Sequence, residues 1–303
     1  MNSHNPEKRD DTVDIKVLLN ILWNRKSIIT AITLVIGIIS VIYALSIPNT
    51  YESKVVLSPS TGSESNNMNF SGTGGALARI AGIDLGGGSA SGPSIALAIE
   101  KIKSRKFSKD FIINNSYQPE LLASEGWNRS SNNILYNSSY NASKDELSYI
   151  PSDTDLYKGY MDRVSIFFDK RSKLTHITFK HYSPFFAKEL LDNLVLTINE
   201  DIKNVELQTA NDSITFLESQ IAKTNVSDLK FIFSKLIEKN IKTILLAEVN
   251  PQFVFTVLDP AYIPDLRSSP SRGVICILIT VFGFLIISTF ITIFDYLKLN
   301  RKP

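Results

Sequence analysis

The sequence predicts an α+β protein in which two transmembrane helices flank a water-exposed domain that carries a long helical hairpin. Two apolar runs, Ser27–Ile47 and Gly273–Phe294, contain 21 and 22 residues without Asp, Glu, Lys or Arg. The segment between them, residues 48–272, has the charge content of a soluble domain. Within that segment, apolar residues recur at helical spacing over about 38 residues, far beyond the 10–14 residues of an average helix.

Both apolar runs are long enough to cross a bilayer. At 1.5 Å per residue they form helices of about 31–33 Å, against a hydrocarbon core of about 30 Å. The run at 27–47 is longer than the core of a cleaved signal peptide and follows 26 residues of mixed charge. A retained first helix is therefore favoured over cleavage, and 273–294 is the second helix.

Basic residues near the two spans predict that both termini are cytoplasmic. The terminal sides carry Lys16, Arg25, Lys26, Lys298, Arg301 and Lys302, whereas the inner sides carry Lys54, Arg267 and Arg272. Since the excess of Lys and Arg marks the cytoplasmic side, residues 48–272 are expected outside. The tails, 1–26 and 295–303, are too short to fold into a catalytic or signalling domain. A receptor with its own cytoplasmic output is excluded on this interpretation.

The outer domain is nearly neutral and has no cysteine. It contains 24 Lys and Arg against 25 Asp and Glu, and the one cysteine of the chain, Cys276, lies in the second span. A neutral domain lacks the basic surface that binds nucleic acid, so no nucleic-acid partner is expected. The domain also needs no disulfide chemistry.

The outer domain begins with short elements. Alternating apolar residues predict a strand at Tyr51–Leu57 and a β-hairpin of Arg163–Phe168 with Leu174–Lys180. Helical spacing predicts helices at Ser94–Lys106 and from Ser108 into Ile113. Composition predicts a mobile Gly-, Ser- and Asn-rich loop at Ser58–Gly92 and a polar surface connection at Asn128–Ser143.

A long helix follows, at about 184–222, with Ser183 as cap and Pro184 at its first position. A second helix at about 228–247 would fold back on it as an antiparallel hairpin. At about 20 residues it covers only half of the first, so the remainder is expected to meet other protomers or to project as a stalk. The candidate packing positions are Leu191, Leu194, Ile198, Ile202, Val205, Ile214, Leu217 and Ile221.

No constellation typical of an enzyme is found, and we predict no catalytic, metal-binding or cofactor-binding residues. His176 and His181 lie five apart on one strand, which points them to opposite faces, and His4 is in a tail. Cys276 in a lipid-facing helix is shielded from substrates. Ordinary sheet or surface histidines are the favoured interpretation.

Three prolines precede the second span. A strand at Phe253–Leu258 leads into Pro260, Pro264 and Pro270, each of which fixes φ and keeps the chain from continuing as a helix. A simple linker explains these prolines when they are taken alone. Together with Gly283 in the span, they are candidates for orienting and packing the second transmembrane helix.

The layout resembles that of the Wzz-type chain-length determinants, the polysaccharide co-polymerases of bacterial inner membranes. The resembling segments are Asp14–Lys26, Tyr51–Lys54, Leu85–Ser89, Ala96–Phe107, Ser183–Glu189, Leu236–Asn240, Ile244–Glu248 and Val257–Pro264. Their order and spacing between two spans make the match specific. One departure is that Gly283 stands alone inside the second span, where relatives often carry several glycines.

The resemblance implies a non-enzymatic, multi-pass inner-membrane protein with a periplasmic α/β base domain and a long helical hairpin stalk. It implies side-by-side assembly into a homo-oligomeric ring or bell, with no cofactor. The expected partners are the membrane-embedded polysaccharide polymerase and, through it, lipid-linked glycan. The expected function is regulation of the chain length of O-antigen or a related lipopolysaccharide glycan.

Two alternatives stay open at this point. An export adaptor of the same architecture, working with a separate tyrosine kinase, has no sequence feature against it. The absence of an ATP-binding domain in the tails argues only against the relatives with a fused kinase. A membrane-anchored periplasmic enzyme would need perturbed acids or a metal site, for which no residue set is found.

Overall fold

The computed structural model describes residues 23, 25–60, 95–144 and 146–299, which form two compact units. Of the described residues, those up to Asn49 and from Ser268 onward make one unit, and those from Thr50 to Arg267 make the other. We call them the membrane unit and the outer unit. Most of the predicted loop Ser58–Gly92, from residue 61 onward, lies outside the described residues.

The membrane unit consists of two long apolar helices, α1 (Lys26–Ser46) and α8 (Arg272–Leu299). Both are long and apolar enough to cross a membrane, and in α8 the apolar part ends at Phe294. Their bounds lie close to the predicted 27–47 and 273–294. Large apolar side chains on both helices are widely exposed, which suits a lipid environment and not water.

The outer unit is built on a four-stranded antiparallel sheet. Its strands are β1 (Tyr51–Pro59), β6 (Val164–Asp169), β7 (Leu174–His181) and β8 (Phe255–Asp259), in the order β6-β7-β1-β8. The predicted β6–β7 hairpin is confirmed, with Val164 opposite Phe179 and Asp169 opposite Leu174. The first strand extends two residues beyond the predicted Leu57.

The core lies on one face of this sheet. Along β7, Thr175, Ile177, Phe179 and His181 are buried, while the intervening residues are more exposed. This alternation confirms that His176 and His181 point to opposite faces. The helix that covers the buried face is α6 (Pro184–Lys223), whose Ser183 side chain caps its first turn. The first half of α6 packs across β1 and β7.

Smaller elements close the rest of the core. They are the helices α2 (Ile95–Ile102), α3 (Arg105–Asn114), α4 (Gln118–Leu122) and α5 (Asp153–Met161), and the two short hairpins β2–β3 (Ser124–Asn128 with Asn133–Tyr136) and β4–β5 (Tyr140–Asn141 with Glu146–Leu147).

The predicted polar connection at Asn128–Ser143 lies at the surface, and it contains the short strands β3 and β4. Trp127 and Ile134 face each other across β2–β3, and Asn132 turns the chain with a φ of 54°. Asn tolerates this left-handed conformation, so the polar residues there form a turn between strands. Helix α5 was not predicted. Its N-terminus is capped by Ser152, which forms a capping box with Asp155.

The long helical hairpin consists of α6 and α7 (Ser227–Val249). Its bounds agree with the predicted 184–222 and 228–247 to within two residues. The expectation that half of α6 lacks a partner within the chain was wrong, because the sheet covers its first half and α7 lies along its second half. The sheet supplies Leu57, Ile177 and Phe179 for this contact.

Candidate functional site: the paired spans, the proline segment and the helical hairpin

The two spans pack against each other through small residues. A Cβ added at Gly283 would lie 2.9 Å from Cγ2 and 3.0 Å from Cδ1 of Ile36, so a glycine is needed where Ile36 fits. Ser40 and Ala44 of α1 are buried, and the Cys276 thiol lies 3.7 Å from the Ser40 carbonyl oxygen. Small residues at such a contact let helix backbones approach closely in lipid. The structure therefore places Gly283 at the helix pair, where the sequence suggested a packing role.

Arg272 ties the outer ends of the two spans together. Its Nη2 donates to the Ile47 carbonyl oxygen at 3.2 Å and to the Asn49 Oδ1 at 3.1 Å. In the sequence analysis, Arg272 served only as one of the charges that predict the orientation of the protein in the membrane. Its partners, more than 220 residues away along the chain, could not be inferred from local pattern.

An apolar groove of about 700 Å³ runs along the pair. Its lining is Thr30, Thr33, Leu34, Gly37, Ile38, Val41, Ile42, Thr280 and Phe284. All nine residues lie within α1 and α8, so the groove is part of the apolar surface of the two spans.

The three candidate prolines have different surroundings. Pro264 is buried in the outer unit, Pro260 is exposed, and Pro270, in the membrane unit, is half-buried. Near Pro264, Ser53 of β1 donates its hydroxyl to the Tyr262 carbonyl oxygen at 2.7 Å. The segment that follows β8 is thus fastened to the first residues of β1. Whether these prolines orient α8 stays a prediction.

Asn199, on α6, holds the start of β8. Its Oδ1 accepts from the backbone N–H groups of Val254 and Phe255, both at 2.9 Å, and its Nδ2 donates to the Phe255 carbonyl oxygen at 3.1 Å. A single buried amide therefore satisfies three backbone groups of the strand that leads to the second span. This residue lay in the apolar stripe of α6 and was not singled out from the sequence.

The predicted packing positions on α6 fall into two groups. Leu191, Leu194, Ile198 and Ile202 belong to the core of the outer unit, so they contact their own chain and are not free to meet another protomer. Farther along, Leu217 is buried, Ile214 and Ile221 are half-buried, and Val205 is exposed. A role for this second group in assembly stays a prediction.

Beyond the sheet, the α6–α7 hairpin has little core of its own. From Lys203 to Leu246 the buried side chains are Ala210, Leu217 and Ile232. We define the outer stripe as Phe231, Ile241, Leu245 and Val249, which recur at helical spacing and are 46–82% exposed. The stripe lies on the side of α7 away from Ile232 and Ala247, which are buried. The sequence predicted the helix at about 228–247 but not this stripe.

A buried serine–histidine contact joins β7 to α4 and β2. His181 Nε2 lies 2.9 Å from the Glu120 carbonyl oxygen and 3.1 Å from Ser124 Oγ, and its Nδ1 accepts the Ser183 N–H at 3.1 Å. Because Nδ1 is the acceptor, the ring proton sits on Nε2, which therefore has no lone pair for deprotonating Ser124. The arrangement is a structural junction and not a nucleophile with its base.

The charge state of this junction follows from its surroundings. Burial, together with the positive charge of Arg163, lowers the pKa of His181 to about 3. Arg163 donates to the Glu120 carbonyl oxygen at 3.2 Å and to Ser124 Oγ at 3.3 Å. His181 is thus neutral at physiological pH and serves as a hydrogen-bonding bracket. Among the described residues, no group of three or more His, Cys, Asp or Glu is placed to hold a metal ion.

One family model agrees with the resemblance inferred from the sequence. The family model described as Wzz, chain length determinant protein, matches residues 11–115. A solved full-length bacterial polysaccharide co-polymerase is 12% identical, over 96% of this chain and 99% of that one, with a TM-score of 0.39. A fragment of WzzB, a polysaccharide co-polymerase from Salmonella Typhimurium, is 12% identical over 73% of this chain and all of that one, with a TM-score of 0.31. No curated protein matches the sequence.

The family match covers α1, β1 and the helices that follow, up to the end of α3. The resemblance to the Wzz-type chain-length determinants is therefore confirmed for residues 11–115.

Proposed function

We propose that this chain regulates the length of a lipopolysaccharide glycan, O-antigen or a related polymer, as an oligomeric inner-membrane co-polymerase. In this proposal the membrane unit spans the bilayer with both termini in the cytoplasm, and the outer unit is periplasmic. The observation that carries it is the match of residues 11–115 to the chain length determinant family. The protein performs no chemistry on the glycan itself and acts on the polysaccharide polymerase.

The hairpin supports assembly into a homo-oligomer. Two helices that bury only three side chains between Lys203 and Leu246 gain little stability from each other. The outer stripe adds four large apolar residues on the face that α6 leaves open. Burying such a face against a neighbouring copy removes it from water and gives the hairpin the core that it lacks. A ring or bell of side-by-side protomers provides that contact for every copy.

The membrane unit supports contact with the polymerase. Gly283 and Arg272 hold the two spans as one body, and the groove along α1 and α8 is lined by small and apolar residues. In lipid, association depends on close packing because there is no hydrophobic driving force between helices. A groove of this kind offers a polymerase helix the shape for such packing.

The test is the length distribution of the surface polysaccharide in a deletion strain. The strain is complemented with the wild-type chain, with Phe231→Ser/Leu245→Ser in the outer stripe, or with Ile150→Ser/Leu135→Ser as a matched control. The control pair is also apolar and exposed but lies outside the hairpin. We expect the deletion and the stripe variant to keep total polymer but lose the modal length, whereas the control restores it.

Two outcomes contradict the proposal. An unchanged length distribution in the deletion strain removes the regulatory function. Loss of exported polymer, with normal length in what is made, favours an export adaptor instead. Crosslinking of the same variants in membranes tests assembly separately, because the stripe variant should run as smaller species than the control.

A further inference from the structure

We propose that the outer unit carries a lipid-contact surface, made by half-buried and exposed aromatic and apolar residues beside the start of β1 and in the segment that follows β8. We call it the interfacial patch and define it as Tyr51, Trp127, Phe185, Tyr262, Ile263 and Leu266. The proposal rests on the placement of α1 and α8 in the bilayer. Its occupant is the headgroup region of the membrane.

The aromatic half of the patch is preassembled around Trp127. Its indole meets the Tyr51 ring edge-to-face with centroids 5.5 Å apart, and the Phe185 ring at 6.2 Å. The indole Nε1 donates to Asn132 Oδ1 at 3.0 Å. Trp127 is only half-buried and Phe185 is exposed, so these rings are not core residues. Amphipathic rings of this kind concentrate at the boundary between hydrocarbon and water.

The apolar half follows β8. Leu266 is 83% exposed and Tyr262 is 52% exposed, and Ile263 lies between them on the surface. The 2.7 Å hydrogen bond from Ser53 to the Tyr262 carbonyl oxygen holds this segment beside the start of β1, and Tyr51 is two residues from Ser53. Such a run of exposed apolar side chains in one short segment is unfavourable in water and favourable at a lipid surface.

Chain connectivity limits how far the patch can be from the bilayer. Tyr51 follows the last residue of α1, Ser46, by five residues, and Leu266 precedes the first residue of α8, Arg272, by six. At no more than about 3.6 Å per residue, these residues lie within about 18 and 22 Å of the ends of the spans. The headgroup layer begins where the helices end, so both halves of the patch are within reach of it.

Positive and negative side chains near the patch occur in pairs, which bears on whether contact with lipid depends on charge. Lys180 and Glu52 form an ion pair at 3.3 Å, and Asp265 and Arg267 lie on either side of Leu266 in the exposed segment. A surface without excess positive charge gains little from anionic lipids. Contact with lipid is therefore expected to depend on apolar burial and to be insensitive to headgroup charge.

The full-length protein allows a direct test because it contains two tryptophans, Trp23 and Trp127. In a Trp23→Phe chain, Trp127 is the sole reporter. In a Trp23→Phe/Trp127→Phe background, L266W reports on the second half of the patch, F216W on the exposed distal hairpin, and F282W on the span. Each chain is reconstituted in phosphatidylcholine vesicles, with or without acyl chains brominated near the ester group, and in vesicles containing phosphatidylglycerol.

We expect brominated lipid to quench Trp127 and L266W several-fold more than F216W, equally in both headgroup compositions. Unquenched Trp127 and L266W with a quenched F282W would overturn this inference while leaving the membrane placement intact. An unquenched F282W would instead contradict the placement on which the proposed function depends. Quenching that appears only with anionic lipid would assign the contact to charge and also overturn the inference. Protection of L266W from aqueous iodide only when a polymerase is co-reconstituted would assign the patch to a protein partner.

Discussion

Replacing Gly283 by leucine should separate the two spans. Gly283 faces Ile36 of α1, and even a single added carbon at Cβ would come within 2.9 Å of the Ile36 side chain. Carbon atoms in contact lie about 3.5–4.0 Å apart, so the overlap is about 0.6 Å or more before the rest of the leucine is placed. The overlap requires a shift of the Ile36 side chain or of a helix, and the Ile36 side chain is stiff because Cγ2 is bonded to its branched Cβ.

The magnitude follows from the cost of overpacking. Forcing extra carbons into a close contact costs about 1–3 kcal/mol. That free energy lowers the ratio of paired to separated spans by roughly 5- to 150-fold. Gly273 provides the matched control in the same helix, because a Cβ added there meets nothing within 4 Å. A Gly273→Leu chain should therefore keep the pair.

A disulfide between the spans measures the pairing. The one native cysteine, Cys276, has its sulfur 3.7 Å from the carbonyl oxygen of Ser40, so a Ser40→Cys chain should crosslink under mild oxidation in membranes. We expect Gly283→Leu to reduce the crosslinked fraction strongly and Gly273→Leu to leave it unchanged. Equal crosslinking in the two variants would refute the reasoning that Gly283 sets the distance between the helices.

Three further predictions concern the outer unit, each measured by unfolding the full-length protein in detergent micelles. Asn199→Leu removes the side-chain partner of three backbone groups of Val254 and Phe255, at the start of β8, and should lower the free energy of unfolding by about 3 kcal/mol or more. The matched variant Asn240→Leu should lower it by less than about 1 kcal/mol, because that amide makes one bond, to the Leu236 carbonyl oxygen. The pKa of His181 is lowered from 6.5 to about 3, so its contribution to the free energy of unfolding is complete above pH 6.5. That contribution is lost as the pH falls toward 3, by about 1.4 kcal/mol per pH unit. His181→Gln should flatten this pH dependence of stability, whereas a His176→Gln chain should still show it. Tyr160→Phe should raise stability by about 1 kcal/mol, because the Tyr160 hydroxyl is fully buried without a hydrogen-bond partner; a loss of stability would show that the hydroxyl has a partner after all.

Elements with a strong local signal could be predicted from the sequence. The spans are long uncharged apolar runs, and the strands of β6–β7 and the helices of α6–α7 each repeat one apolar period. Ser183-Pro184 marks where α6 begins. Helix α5 also had a local signal, the Ser152 and Asp155 capping box ahead of Leu156 and Tyr160. That signal is short and lies in polar sequence, so it did not predict the helix by itself.

The contacts that shape the candidate site could not be predicted in the same way. Asn199 reaches Phe255, 56 residues away, and His181 reaches Glu120, 61 residues away. Such pairs depend on how the sheet and α6 pack, which no local period encodes. The same limit explains why the expectation that half of α6 lacks a partner within the chain was wrong. The apolar stripe through Leu194 and Ile198 has the same sequence pattern whether a sheet or another protomer packs against it.

The most direct test of the central claim is the polysaccharide length profile of cells in which only the outer stripe is altered. Gel-resolved lipopolysaccharide from the deletion strain carrying Phe231→Ser/Leu245→Ser is compared with that from the wild type, at equal protein levels in the membrane. Regulation by assembly through the hairpin predicts the same amount of polymer with its modal length lost. A wild-type length profile from a stripe variant that no longer crosslinks into oligomers would contradict it.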